Sequence, residues 1–294
     1  MTRLYQAAVA IAPFVLVLLL LRSCSRGAGD GWRAELAGFE DDLKLVLDRS
    51  DLIVVAPDEQ LGLDVGEEVL AFRGLLIEDY GSLLGRGSDR RVVVGIFSDL
   101  DRLQAFASER FRRDARSVGA FHDPQRGALF LARGAPIGVL RHEVVHLVVS
   151  ESRGIPGQFS PWLSEGLAQV FERYDPRGDP PQEPGPPLEP SALAVVPAGP
   201  MDVARLVHLD DYAEFVDRHG ERNYAEAALL VGFCMQRRPL EVFETYLASE
   251  RSRTGNHAEA FRSLYQYEEA PFRRDFSTYV DAWRGAVRAV LKGS

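Results

Sequence analysis

Apolar and polar positions divide the 294-residue chain into segments of distinct period. At the start, Ala7 to Leu21 is an uncharged apolar run, with Arg3 before it, Pro13 inside it and Arg22 and Arg26 beyond. Apolar residues recur at helical spacing from Trp32 to Asp51 and from Val65 to Leu84, so both segments are expected to be amphipathic helices. Arg91-Val92-Val93-Val94-Gly95-Ile96-Phe97 is rich in β-branched residues and reads as a strand, after which Ser98 and Asp99 cap a helix running to about Arg113. Gly119 to His122 and Ala128 to Ala132 read as two strands joined by the Asp123-Pro124 turn. Between Pro136 and the Gly154-Ile155-Pro156 stop, Val139, Leu140, Val144, Leu147 and Val148 return at helical spacing. The valines there favour strand locally, but tertiary burial overrides so weak a preference, and a helix is expected. A second helix follows with Ser160 as N-cap and Pro161 at its first position. Asn223 to Arg237, Leu240 to Glu250, Ala258 to Gln266 and Phe272 to Leu291 make the C-terminal part mostly helical.

Two stretches depart from this pattern. Residues 175–200 contain nine of the seventeen prolines, together with Asp179, Glu183 and Glu189. The expectation is an extended, polyproline-biased loop without a core, acting either as a solvated linker or as a lid. Residues 1–26 form a leader whose apolar run is short for a spanning helix and long for a signal core. It can be a cleaved signal, a retained membrane anchor (the leading reading) or a lipoprotein signal at Cys24, which Arg22 fits poorly. Arg22 and Arg26 outnumber Arg3, so the charge rule does not itself place the domain outside, yet export is the expectation. Membrane contact is expected through this segment.

The apolar share of 46% and charged share of 26% describe an ordinary globular chain, with room for one large domain or two small ones. A net charge of −9 argues against nucleic acid or anionic lipid as the main partner. Cys24 belongs to the leader and Cys234 stands alone, which excludes a disulfide framework and suggests a buried thiol.

The chemistry concentrates in His142-Glu143-Val144-Val145-His146 and in Trp162-Leu163-Ser164-Glu165-Gly166-Leu167-Ala168. On a helix, residues i and i+4 stand about 6 Å apart, so two imidazoles can share one metal ion; in a strand they would be about 13 Å apart and could not. Zn²⁺ needs a third ligand and keeps a fourth position for water, which Glu143 can reach as general base. Glu165, on the next helix, is the natural third ligand.

These two segments resemble those of the gluzincin metallopeptidases, and most nearly the small bacterial peptidase-MA-like domains, over roughly residues 128–174. The resemblance implies zinc held by His142, His146 and Glu165, with Glu143 as catalytic base. It implies an α+β, zincin-like fold, with a small mixed sheet and the zinc-binding helices within residues 27–174; the pattern adds the Pro-rich loop 175–200 and a helical lobe of the same catalytic unit over 201–294. It further implies that the strand before the metal helix, Ala128 to Ala132, offers an edge to an extended substrate. An ordinary buried strand is the competing reading.

An oxyanion donor is expected from the helical part. Tyr224 is the first candidate, with Tyr212, His208 and His219 as rivals, while His122 and His257 have no ligand spacing. Gln169, one turn after Glu165, either orients that ligand or is a polar surface position. No Gly-x-Met-Glu-Asn segment is present, so an endopeptidase acting on a peptide or protein is expected rather than an aminopeptidase. The alternative is a membrane-tethered zincin-fold binding module without peptidase activity. Oligomeric state is not specified by the sequence.

Overall fold

The computed structural model describes residues 28–37, 40, 42–85, 87, 90–111, 119–151, 159–178, 182–187, 190–217, 219–252 and 256–293. The leader and the Gly154-Ile155-Pro156 stop lie outside these residues. The fold is mixed α and β, with one five-stranded sheet. It divides into two compact units, Met1–Leu70 with Asp89–Ala135, and Ala71–Ser88 with Pro136–Ser294.

The first unit contains α1 (Ala28–Ala37), β1 (Lys44–Asp48), β2 (Leu52–Ala56), the start of α2 (Glu59–Leu84), β3 (Val92–Phe97), α3 (Leu100–Phe111), β4 (Ala120–Asp123) and β5 (Ala128–Ala132). The sheet order is β1-β2-β3-β5-β4, parallel through β2, β3 and β5 and antiparallel at both outer strands. Every residue of the three parallel strands is buried, which is why they read as continuous apolar runs instead of alternations. One face carries Ile53, Val55, Val93, Phe97, Phe121 and Phe130 against Leu36 of α1 and Leu103 and Phe106 of α3. Gly95 makes room for this cluster, because a Cβ there would stand 2.9 Å from the Phe130 ring.

Three expectations change in this unit. Trp32 to Asp51 is not one helix: α1 ends at Ala37, and residues 44–48 form β1. Exposed Lys44 separates buried Leu43 from Leu45, and the run pairs antiparallel with Leu52–Ala56 through a register shift between Leu45 and Leu47, a strand the helical periods hid. Helix α2 begins at Glu59, ahead of Val65, because the Asp58 carboxylate accepts from Leu61 N at 2.9 Å and caps it. The strand Ala128–Ala132 has no open edge for a substrate, since β3 and β4 flank it. The turn at 124–127, with Gly127 at φ +64° and Asp123 accepting from Gln125 N, folds β4 back along that edge. The cap on α3 is as expected, Asp99 accepting from Arg102 N at 2.8 Å.

The second unit is helical. It holds the end of α2, then α4 (Ile137–Glu151), α5 (Pro161–Phe171), α6 (Pro190–Val195), α7 (Val203–Val207), α8 (Tyr212–Val216), α9 (Gly220–Arg237), α10 (Leu240–Ser252), α11 (His257–Tyr265) and α12 (Ala270–Gly293). Helix α9 is buried almost continuously from Ala225 to Cys234 and is the core element of the unit. Helix α5 lies against it at very short range: a Cβ on Gly166 would come 2.7 Å from the Ala227 carbonyl oxygen and from Val231 Cγ2.

The Pro-rich stretch is not a coreless solvated linker. It contains α6, and Pro184 and Pro187 are buried. Proline lacks an N–H but keeps its carbonyl, and here the carbonyls receive the bonds. Gln236 Nε2 donates to Pro184 O at 2.9 Å, Trp283 Nε1 to Pro187 O at 2.9 Å, and Arg284 to Pro197 O. Gly185 N adds a bond to Val170 O on α5 at 3.0 Å. Among the described residues no helix is long and apolar enough to cross a membrane.

Candidate metal centre

Helix α4 presents His142 and His146 one turn apart, with ring centroids separated by 4.8 Å and planes at 72°. The β-branched run that argued for strand is the buried side of this helix: Val144, Val145, Val148 and Val149 are all in the core. Helix α5 brings in Glu165. The His142 and His146 Nε2 atoms are 3.1 Å apart, and Glu165 Oε2 lies 3.2 and 3.3 Å from them. Four-coordinate zinc with ligand bonds of about 2.0–2.1 Å has ligand–ligand edges of about 3.3–3.4 Å, so this triangle fits a tetrahedral face. His146 and Glu165 are buried and His142 nearly so. Among the described residues this is the one cluster of His, Cys, Asp or Glu whose geometry could hold an ion.

Burial pulls the His142 pKa down, but hydrogen bonds to Glu165 and Glu172 and the charges of Glu165 and Glu143 outweigh it and raise it to about 10. Burial likewise opposes charge on Glu165, yet the two imidazoles hold its carboxyl far below the usual range. The same carboxylates that favour the His142 proton would attract a divalent cation, which must displace that proton to reach the ring nitrogen.

Glu143 is buried beside the ligands, and its charge acts on His142 and on the hydroxyls of both Tyr212 and Tyr224. Those hydroxyls meet at 3.2 Å, so the first oxyanion candidate and one rival arrive as a pair. Tyr212 is 53% exposed as a residue, but its hydroxyl lies near enough to Glu165 to feel that charge. Burial and the neighbouring carboxylates push both phenols well above their usual range, which keeps them protonated donors. Tyr224 is braced edge-on by Phe215 of α8 at 5.2 Å. The other rivals are surface caps, His208 at the end of α7 and His219 at the start of α9.

Outer partners were only partly foreseen. Ser164 Oγ lies 3.2 Å from His146 Nδ1. Gln169 reaches His142 Nδ1 at 3.4 Å and Glu172 at 3.3 Å, instead of orienting Glu165. Glu172 Oε2 is itself 3.5 Å from His142 Nδ1, an ion-pair distance. Glu165, Gln169 and Glu172 follow one another at i, i+4 and i+7, a stripe whose period was available from the sequence. Ser160 occupies the N-cap position of α5, as expected, but makes no capping bond to the helix; its hydroxyl donates to Glu250. His257 Nδ1 pairs with Glu250 at 3.0 Å. His122 lies in β4 of the sheet unit. Cys234 is buried and free, its thiol pushed up to about 12 by burial, which excludes a reactive thiolate.

Comparison with known proteins adds no relative: no family model and no curated protein matches the chain.

Proposed function

We propose that this chain is a zinc-dependent peptidase with a zincin-like fold of the gluzincin type, most simply an endopeptidase. The observation that carries the reading is the closure of His142, His146 and Glu165 into one triangle with edges of 3.1–3.3 Å. Zinc bound there would lower the pKa of a water toward neutrality and polarise a peptide carbonyl.

The chain's own groups supply the remaining steps. Glu143 stands beside the ligands as a carboxylate that takes the proton of the attacking water and returns it to the leaving amine. Tyr212 and Tyr224, whose hydroxyls meet at 3.2 Å, donate to the oxyanion as charge builds on the former carbonyl oxygen. Ser164 and Glu172 fix the ring orientations of His146 and His142 through the Nδ1 atoms, leaving the Nε2 atoms to face each other. The leader supports an anchored or exported enzyme acting on peptides or proteins outside the cytoplasm.

Hydrolysis of a peptide library by the full chain, beside Glu143→Gln, tests the role of the base. The expected result is cleavage by the wild type and loss of at least ~10²-fold in the variant, with zinc content unchanged. A zinc-loaded wild type that cleaves nothing would leave a tethered binding module instead.

A further inference from the structure

Glu250, on α10, is fully buried. A carboxylate withdrawn from water persists only where donors replace its hydration. Three hydrogen-bond donors converge on it, Ser160 N at 3.3 Å, Ser160 Oγ at 3.2 Å and the Tyr246 hydroxyl, and His257 Nδ1 lies 3.0 Å away as an ion-pair partner when protonated. The three residues come from the start of α5, from α10 itself and from the start of α11.

The arrangement is unusual for a helix start. A serine at the N-cap ordinarily turns its oxygen to accept from an N–H of the first turn. Ser160 makes no such bond, and instead gives both its N–H and its O–H to a carboxylate 90 residues away. That carboxylate also places negative charge at the positive end of α5. Two residues further, Trp162 is fully buried, stacked on Tyr246 at 5.9 Å and edge-on to Phe261 at 5.2 Å. The N-terminus of α5 is therefore located by α10 and α11. From there the helix carries Ser164, Glu165 and Gln169 in rigid register to the two histidines.

We propose that Glu250 is a positioning residue of the metal centre: by holding Ser160 it sets where Glu165 and Ser164 stand relative to His142 and His146. The inference rests on the metal reading above. It assigns a function to a buried charge that the peptidase chemistry does not otherwise use.

The test compares four full-length proteins: wild type, Glu250→Gln, Ser160→Ala, and Leu247→Ala as a control that removes buried packing from the same helix. Glutamine keeps the shape but turns one acceptor oxygen into a donor facing donors. Zinc affinity is read by chelator competition, ligand geometry by the visible spectrum of the cobalt-substituted protein, and stability by the unfolding midpoint of the metal-free form. The expected result is an affinity loss of about tenfold and a shifted cobalt spectrum in Glu250→Gln and Ser160→Ala, with both properties retained by Leu247→Ala despite its lower midpoint. Affinities and spectra equal in all four proteins would overturn the proposal, reducing Glu250 to a packing role. If Glu250→Gln does not fold, Ser160→Ala decides alone. A wild type that takes up no zinc would overturn the metal reading first, and is seen before any variant is titrated.

Discussion

Gly166 offers a sharp test because it joins packing directly to the site: it follows Glu165 in the chain and sits at the closest approach of α5 to α9. In Gly166→Ala the new Cβ would stand 2.7 Å from Ala227 O, 2.7 Å from Val231 Cγ2 and 3.0 Å from Ala227 C. Ordinary non-bonded separations are about 3.5–4.0 Å, so roughly 0.8 Å of room is missing. Neither neighbour yields easily, since one is helix backbone and the other a β-branched side chain confined to one rotamer. Helix α5 must move. Over-packing of this kind costs about 1–3 kcal/mol, offset by about 1 kcal/mol of better helix propensity for alanine. The net loss of about 0–2 kcal/mol corresponds to a Tm lowered by up to roughly 6 °C in a chain of this size. Ligand distances at zinc tolerate only about 0.2 Å, so a displaced Glu165 should weaken zinc binding about 10- to 100-fold. Melting of the metal-free protein separates the packing cost from the metal effect, and chelator competition then reads the affinity. A variant as stable as wild type, with equal zinc affinity, would refute the close approach and its coupling to the ligand.

Further expectations follow from the same geometry. Tyr212→Phe and Tyr224→Phe should each keep zinc and lower kcat for a peptide by about 10²-fold; unchanged kcat in both would remove the oxyanion role from this pair. With the His142 pKa raised to about 10 by the surrounding carboxylates, zinc uptake is expected to release a proton. Zinc affinity should therefore rise with pH from 6 to 9, and calorimetry in buffers of different ionisation enthalpy should show proton release; uptake without it would contradict the ion-pair picture. Glu172→Gln and Ser164→Ala should each weaken zinc by about tenfold while leaving the fold intact, and circular dichroism beside chelator competition checks both halves of that statement.

The metal cluster was legible because its spacing is local. His142, Glu143 and His146 occupy adjacent turns of one helix, and Glu165 opens the next, behind a proline that marks the helix start. What escaped was long-range. Ser160 and Glu250 are 90 residues apart, and nothing in either segment announces the other. Tyr212 was a rival to Tyr224 in the sequence, and only the placement of α8 shows that the two hydroxyls meet at 3.2 Å. Residues 44–48 read as the tail of a helix because five residues are too few to establish a period of two without knowledge of their strand partner. The proline count between 175 and 200 indicated a chain that cannot donate, but not that Gln236, Trp283 and Arg284 would donate to it.

Metal analysis of the full chain beside His146→Ala tests the central claim most directly. The account predicts one zinc per folded wild-type chain and none in the variant. A folded wild type that binds no zinc, even when zinc is supplied, would contradict it.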